Sequence, residues 1–368
     1  MTYRILSLDG GGIRGVFTAA LLERLEGETR FNFNKQVDLF AGTSTGGILA
    51  LGLASGMTPR KCKELYQSLG QEIFTPSPLG KLDDFFFAKY SNVKLRRRLE
   101  AVFRDQGVET LGDLPKKVLI PSFDLRAKPS GQGGNGLNNR HRIETWKPKF
   151  FHNLDGPGSD ASQSVVDVAL ATSAAPSFFP SSRTYVDGGV MANNPSMCAL
   201  AQALKAGAAL DEIALLSLGT GLNPKFLKGE NLNWGSLRWV HFKTLIPAIS
   251  LKARTSAVNR ADAFITELLV EGTMDVAQYQ CRQILKERFH RLNPLLQMNG
   301  EVVRIDLDDA HKIEALLLIA QSANLKDDDS SSPVSTTGWL KNYFSMPLHH
   351  YAQPMPKYEP VPALPVGA

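Results

Sequence analysis

The sequence predicts an α/β protein, with a central, mostly parallel sheet layered between helices and a helical extension behind it. Three observations carry this prediction. Short apolar runs at residues 3–8, 37–41, 118–124, 184–186 and 213–218 read as buried strands. Segments of helical character, at 16–25 and 47–54 among others, alternate with them. Three of the strands run directly into glycine-bearing turns. At 368 residues, 43% hydrophobic and 21% charged, the chain has the composition of a soluble globular protein with a substantial core.

The first strand leads into Asp9-Gly10-Gly11-Gly12-Ile13-Arg14-Gly15, followed by the helix at 16–25 with Val16, Ala19, Ala20 and Leu22 apolar. Two chemistries fit. Gly-x-Gly-x-x-Gly between a strand and a helix is the dinucleotide-binding fingerprint. That site wants an acidic residue about 20 residues further on, at the end of the second strand. Glu26 and Glu28 lie nearer, and the next strand runs instead toward Ser44. The alternative is an oxyanion hole, in which the unobstructed N–H groups of Gly10, Gly11 and Gly12 converge on developing negative charge. Arg14 fits either a structural ion pair or a positive charge beside an anionic head group.

The second strand leads into Gly42-Thr43-Ser44-Thr45-Gly46. Gly-x-Ser-x-Gly at a strand-to-helix turn places the serine on a sharp, strained elbow. Glycine at Gly42 and Gly46 lets the backbones approach closely. The helix at 47–54 would point its N-terminus at Ser44 and favour negative charge there. An ordinary turn that happens to carry serine has the same pattern.

Asp187-Gly188-Gly189 follows the strand at 184–186 and offers a carboxylate where a base is needed. The seven histidines, His141, His152, His241, His290, His311, His349 and His350, all lack a comparable strand-end glycine setting. A carboxylate with a pKa near 4 is a weak base unless burial raises it. The competing reading of Asp187 is a plain Asp-Gly-Gly turn.

Taken together, these three motifs resemble the patatin-like phospholipase family. The matching residues are Asp9 to Gly15, Gly42-Thr43-Ser44-Thr45-Gly46-Gly47, and Asp187-Gly188-Gly189 with Asn193-Asn194-Pro195 behind it. Ala171-Thr172-Ser173-Ala174-Ala175-Pro176 and Phe178-Phe179-Pro180 resemble the segment before the aspartate in that family. The resemblance covers about residues 3–222 and implies a three-layer α/β/α patatin-like fold. It also implies lipid acyl hydrolysis without calcium or histidine, with no cofactor or metal. Ser44 is then the nucleophile and Asp187 the base, and the N–H groups around Gly10, Gly11 and Gly12 bind the oxyanion. Arg14, Gly15, Gly42, Gly46, Gly188 and Gly189 support them. Some bacterial relatives of similar size answer to cyclic nucleotides in anti-phage defence, which makes a cyclic dinucleotide a candidate activator. A nucleotide-binding oxidoreductase and a non-catalytic lipid- or partner-binding protein remain the rival classes.

The net charge of +5 is modest. Lys94, Arg96, Arg97 and Arg98 cluster after Phe85-Phe86-Phe87 and before Lys116-Lys117. Positive charge beside aromatics suits a phospholipid membrane surface, while a solvated basic helix over buried phenylalanines is the plainer reading. No groove-reading motif suggests nucleic acid. Cys62, Cys198 and Cys281 are widely spaced in helix-like stretches, as buried free thiols would be. No signal peptide is expected, and no apolar run approaches the roughly 18–20 residues of a membrane span. The expected location is the cytoplasm, with peripheral membrane contact when active.

The expected organisation is a catalytic domain at 1–222, including a helical cap at 71–107, then a helical extension at 223–325 and a flexible, Pro-rich tail at 326–368. Residues 128–139 and 153–164 read as loops. The pair Trp339-Leu340 with Tyr343-Phe344 forms a short amphipathic patch that could meet a membrane or partner, or fold back on the body. Oligomeric state is left open by the sequence.

Overall fold

The computed structural model describes residues 2–73, 90–126, 145–176, 178–224, 264–325 and 334–345. The first half of the chain alternates strand and helix: β1 (Tyr3–Leu8), α1 (Gly15–Thr29), α2 (Phe33–Gln36), β2 (Leu39–Gly42), α3 (Thr45–Ala54), α4 (Pro59–Ile73) and α5 (Asn92–Asp105). There follow β3 (Lys117–Asp124), β4 (Lys147–His152), α6 (Val165–Thr172), β5 (Tyr185–Asp187), α7 (Gly189–Ala192), α8 (Ser196–Lys205) and β6 (Ile213–Leu218). The last described elements are α9 (Phe264–Leu285), β7 (Phe289–Leu292), β8 (Gln297–Met298), β9 (Glu301–Val302), α10 (Ile313–Ser322) and α11 (Thr336–Trp339).

The central sheet has the order β4-β3-β2-β1-β6-β7, with β5 pairing to β3. Every pair from β3 through β7 along this path is parallel. β4 and β5 run antiparallel to β3. Successive β1 side chains serve opposite faces, as a strand's two-residue period requires. Leu6 and Leu8 join the larger apolar cluster with α1, α3 and α6. Ile5 joins a second cluster with Ala199, Leu200 and Ala203 of α8 and Cys281 and Leu285 of α9. Helices therefore cover both faces, which is why these strands read as continuous apolar runs.

The register of β3 positions the later site. Its residues 117–119 pair with β2, and its residues 122–124 pair with β5. β4 occupies the opposite edge of β3, at residues 119–124. β5 thus continues along the flank of β3 just where β2 has ended at Gly42.

The extension expected at 223–325 is not purely helical. β7 enters the central sheet as a parallel neighbour of β6, and β8 and β9 form a separate two-stranded ribbon. Phe289-His290-Arg291-Leu292 is short and half polar, so no apolar run announced it. Its polar members are nevertheless buried, because Arg291 finds an acidic partner and His290 stacks on Trp339 with ring centroids 5.3 Å apart. Nor is the expected tail free throughout. Trp339, Leu340 and Phe344 are buried, and the Arg4 guanidinium donates to the Phe344 carbonyl at 2.5 Å. The amphipathic patch folds back on the body.

Of the stretch 71–107 expected to form a cap, residues 92–105 are the helix α5, which buries Leu95, Leu99 and Phe103. Phe85-Phe86-Phe87, the loop at 128–139 and the Pro-rich end from residue 346 lie outside the described residues. Cys62 and Cys281 are buried free thiols and Cys198 is half-buried. No described helix is long and apolar enough to cross a membrane.

Candidate active site

The elbow forms because β2 and α3 meet with no room for side chains at the turn. A Cβ on Gly42 would strike the Gly46 carbonyl, and one on Gly46 would strike the Leu8 carbonyl at the end of β1. Between them Ser44 adopts φ 54° and ψ −123°, a backbone conformation that L-residues hold only when the surroundings enforce it. The enforcing contacts are specific. The Thr43 hydroxyl donates to the Ala192 carbonyl at 2.6 Å. The Thr45 hydroxyl donates to the Tyr66 oxygen at 2.6 Å, and the Tyr66 hydroxyl donates to the Thr45 carbonyl at 2.7 Å.

Asp187 ends β5, opposite Ser122 of β3. Its side chain is buried, and Oδ1 accepts the Gly189 N–H at 2.7 Å. Burial pushes its carboxyl up to about 6, against the opposing pull of the neighbouring Ser44 side chain and of the Gly189 N–H that it accepts. Gly188 is required for this approach, and Gly189 leaves little spare room beside it. A Cβ on Gly188 would strike the Pro121 carbonyl, and one on Gly189 would lie 3.1 Å from Asp187 Oδ1.

The first glycine loop lies against the serine: a Cβ added to Gly10 would sit 3.3 Å from Ser44 Cβ. Its three N–H groups are not equivalent, however. Gly10 donates to the Asn193 carbonyl at 3.0 Å. Gly11 and Gly12 have no backbone acceptor among the described residues. Of the three N–H groups expected to bind an oxyanion, that of Gly10 is therefore engaged within the protein. Arg14 donates to the Gly221 carbonyl at 3.3 Å, tying the loop to the chain beyond β6. Gly15 packs so closely on the Thr45 hydroxyl that a Cβ would collide with it.

Ser44, Asp187 and Gly10 to Gly12 all line one cleft, which encloses about 1310 Å³ of space including its open mouth. Its walls are largely apolar, with Ile48, Leu69, Leu95, Phe178, Phe179 and Leu307 prominent. No histidine is among the described residues lining it. His290 is buried elsewhere, sharing a hydrogen bond of 2.8 Å with the Thr336 hydroxyl. Among the described residues no group of three His, Cys, Asp or Glu side chains could hold a metal ion. The dinucleotide reading of the first loop also loses its confirming acid, since β2 ends at Gly42 and feeds the serine elbow.

Three residues that hold this arrangement had weak or no signals in the sequence. Asn193 and Thr172 stood inside quoted motifs without a role. Arg291 was invisible, because a lone arginine in an unrecognised strand carries no pattern.

An α/β sheet with a half-buried serine on a strand-to-helix elbow, a carboxylate and a glycine loop lining one apolar cleft defines an acyl-hydrolase class of site. The chain belongs to the patatin-like phospholipase family, whose model matches residues 6–200. A Bacillus subtilis protein named for sporulation, CotR, is 30% identical over 332 residues, covering 88% of this chain and 95% of its own. A Pseudomonas aeruginosa protein named cGAMP-activated phospholipase is 35% identical over 207 residues, covering 54% of this chain and 56% of its own. A Vibrio cholerae protein of the same name is 30% identical over 262 residues, covering 62% of this chain and 68% of its own. Among solved structures, the type III effector ExoU matches at a TM-score of 0.31 and 14% identity, covering 75% of this chain and 53% of that one.

Proposed function

We propose that the protein is a lipid acyl hydrolase of the phospholipase A type, with Ser44 as nucleophile and Asp187 as base. The observation that carries this reading is that Ser44, on its strained elbow, and the buried Asp187 carboxyl, pushed up to about 6, line the same apolar cleft. A carboxylate in that range stays mostly ionised near neutrality yet is a better base than an exposed one.

The chemistry proceeds in two steps. Asp187 takes the hydroxyl proton as Ser44 Oγ attacks the ester carbonyl carbon, whose oxygen becomes an oxyanion between the Gly11 and Gly12 N–H groups. Loss of one such donor typically costs about 2.7–4 kcal/mol of transition-state stabilisation. As the tetrahedral species collapses, the ester C–O bond breaks and Asp187 returns the proton to the departing alkoxide. A lysolipid or alcohol leaves, and Ser44 is acylated. Water, deprotonated by the same carboxylate, then releases the fatty acid.

A phospholipid surface is the partner this reading requires. Support comes from α5, which turns Leu95 into the cleft wall and leaves Arg97 and Arg104 exposed on its outer side. The test is release of free fatty acid from mixed phospholipid vesicles by the native chain, Ser44→Ala and Asp187→Asn. Loss in both variants is expected. Activity surviving Ser44→Ala would end the serine-nucleophile reading and favour a lipid-binding role for the cleft.

Activation by a cyclic dinucleotide is a second layer of the proposal, supported by the names of the Pseudomonas and Vibrio relatives. A panel of cyclic dinucleotides added to the same assay decides it. Equal activity with and without every member would remove this layer and leave the hydrolase reading standing.

A further inference from the structure

We propose that Thr172 is a positioning residue, whose single hydroxyl ties the nucleophile elbow to β3, the strand on which the base-carrying β5 is paired. This rests on the Ser44–Asp187 reading given above.

Thr172 is the last residue of α6 and is fully buried. Its hydroxyl is used twice. It donates to the Pro121 carbonyl at 2.6 Å and accepts the Ser44 N–H at 3.0 Å. A hydroxyl has one proton to give and lone pairs to receive, so both directions are satisfied at once. Its backbone carbonyl accepts the Gly188 N–H at 3.3 Å, immediately after Asp187. One residue thus holds the amide of the nucleophile by its side chain and the residue beside the base by its main chain.

The surroundings make this junction rigid. The Ser122 hydroxyl hydrogen-bonds both the Ala171 carbonyl at 3.1 Å and the Val186 carbonyl at 2.8 Å. The Asp187 N–H donates to the Ala174 carbonyl at 3.0 Å. The end of α6 is therefore tied to both β3 and β5, and its one side-chain bond to the elbow is through Thr172 Oγ1. On the elbow side, a Cβ on Gly47 would lie 2.7 Å from the Thr172 methyl, so α3 can pack there only with glycine.

Ser44 sits in a backbone conformation that local preferences oppose, and the Thr172 bond is one of the contacts that enforces it. Without the hydroxyl, the Ser44 N–H loses its acceptor and the elbow can relax away from Asp187. Displacements of about 1 Å between reacting groups can cost about 10²-fold in rate. Binding in the apolar cleft would be untouched, since Thr172 does not line it.

The experiment compares Thr172→Val, which keeps the shape and deletes the hydroxyl, with Thr172→Ser, which keeps the hydroxyl and deletes the methyl. Three readouts are taken on the full chain: kcat, KM for mixed phospholipid vesicles, and the rate of Ser44 labelling by a fluorophosphonate probe. The expected result for Thr172→Val is a fall of about 10–10²-fold in kcat and in labelling rate, with KM unchanged. Thr172→Ser should stay within about threefold of the native chain, since it keeps the positioning bond. A packing role predicts the reverse order, with the valine variant near native and the serine variant impaired. That order, or equal activity in both, overturns the proposal. If Thr172→Val fails to fold, Thr172→Ala against Thr172→Ser isolates the same hydroxyl, and equal labelling rates in that pair overturn it as well. Ser44→Ala is run in parallel. Activity or labelling that survives there defeats the nucleophile reading itself, whereas a dead Ser44→Ala beside a native-like Thr172→Val defeats only the role of Thr172.

Discussion

Arg291, on β7, meets the carboxylate of Asp9, the residue that begins the first glycine loop, at 2.5 Å, and both side chains are 2% exposed. The same guanidinium donates to the Ser217 hydroxyl of β6 at 2.8 Å. A strand from the far edge of the sheet therefore fixes the root of the loop that supplies the proposed oxyanion donors.

Removing one partner of a buried ion pair leaves the other charged and unpaired, which typically costs about 3–5 kcal/mol. Arg291→Ala should accordingly be strongly destabilised in urea unfolding. Asp9→Asn, which keeps an acceptor for the arginine, should lose less. Near-native stability for Arg291→Ala would show that the pair is not a structural anchor.

Activity should rise as pH increases through about 6, because only the ionised Asp187 can take the Ser44 proton. The measurement is kcat/KM between pH 4.5 and 8 on a substrate whose own charge is constant, at about 0.5-unit steps. A flat profile across that window would remove Asp187 as the base.

The same burial makes Asp187 a stability liability when charged. Its carboxyl lies near 3.8 in the unfolded chain and about 6 in the folded one, so between these values the folded state holds the extra proton. Stability contributed by the protonated form is complete below 3.8 and is lost as pH rises through 6. Asp187→Asn should therefore be inactive yet more stable than the native chain at pH 8, by on the order of 2–3 kcal/mol. At pH 4 the difference should nearly vanish. A variant less stable than native at pH 8 would show that ionised Asp187 is well compensated.

Gly12 holds φ +57°, and a Cβ there would strike the Leu307 carbonyl. Gly12→Ala should displace the loop and lower kcat by about 10²–10³-fold, the usual effect of losing an oxyanion donor. Steady-state kinetics beside a thermal melt separates this from global unfolding. Native kcat would exclude the Gly12 N–H from the reaction.

If α5 faces the lipid surface, Arg97→Glu with Arg104→Glu should weaken binding to anionic vesicles and flatten its salt dependence. Hydrolysis of a dispersed short-chain ester should be unaffected. Equal co-sedimentation of native and double variant with anionic vesicles would place the membrane contact elsewhere.

Much of the sheet was legible because its strands announce themselves locally. β1 and β6 fall on the expected residues, and β2, β3 and β5 within two residues of them. Buried parallel strands must be apolar throughout, so the signal is strong. β4 and β7 were missed for the converse reason: Lys147 and Lys149 in one, and His290 and Arg291 in the other, mask the pattern. In β7 the polar side chains are buried because tertiary partners satisfy them, which no local pattern can reveal.

The sequence by itself determined where glycine is compulsory, and hence where the chain makes its tight turns at Gly42, Gly46 and Gly188. Close backbone approach forbids a Cβ, and that constraint is written residue by residue. The tertiary structure alone decided which groups those turns bring together and what state they are in. Pairing β5 to β3 beyond the end of β2 sets Asp187 beside Ser44, and only burial lifts its carboxyl to about 6. Gly10 spends its N–H on Asn193, Thr172 reaches Ser44 across 128 residues of chain, and Arg291 reaches Asp9 across 282. Desolvation and long-range hydrogen bonding are properties of the assembled interior, so these assignments exist only once the layers have closed.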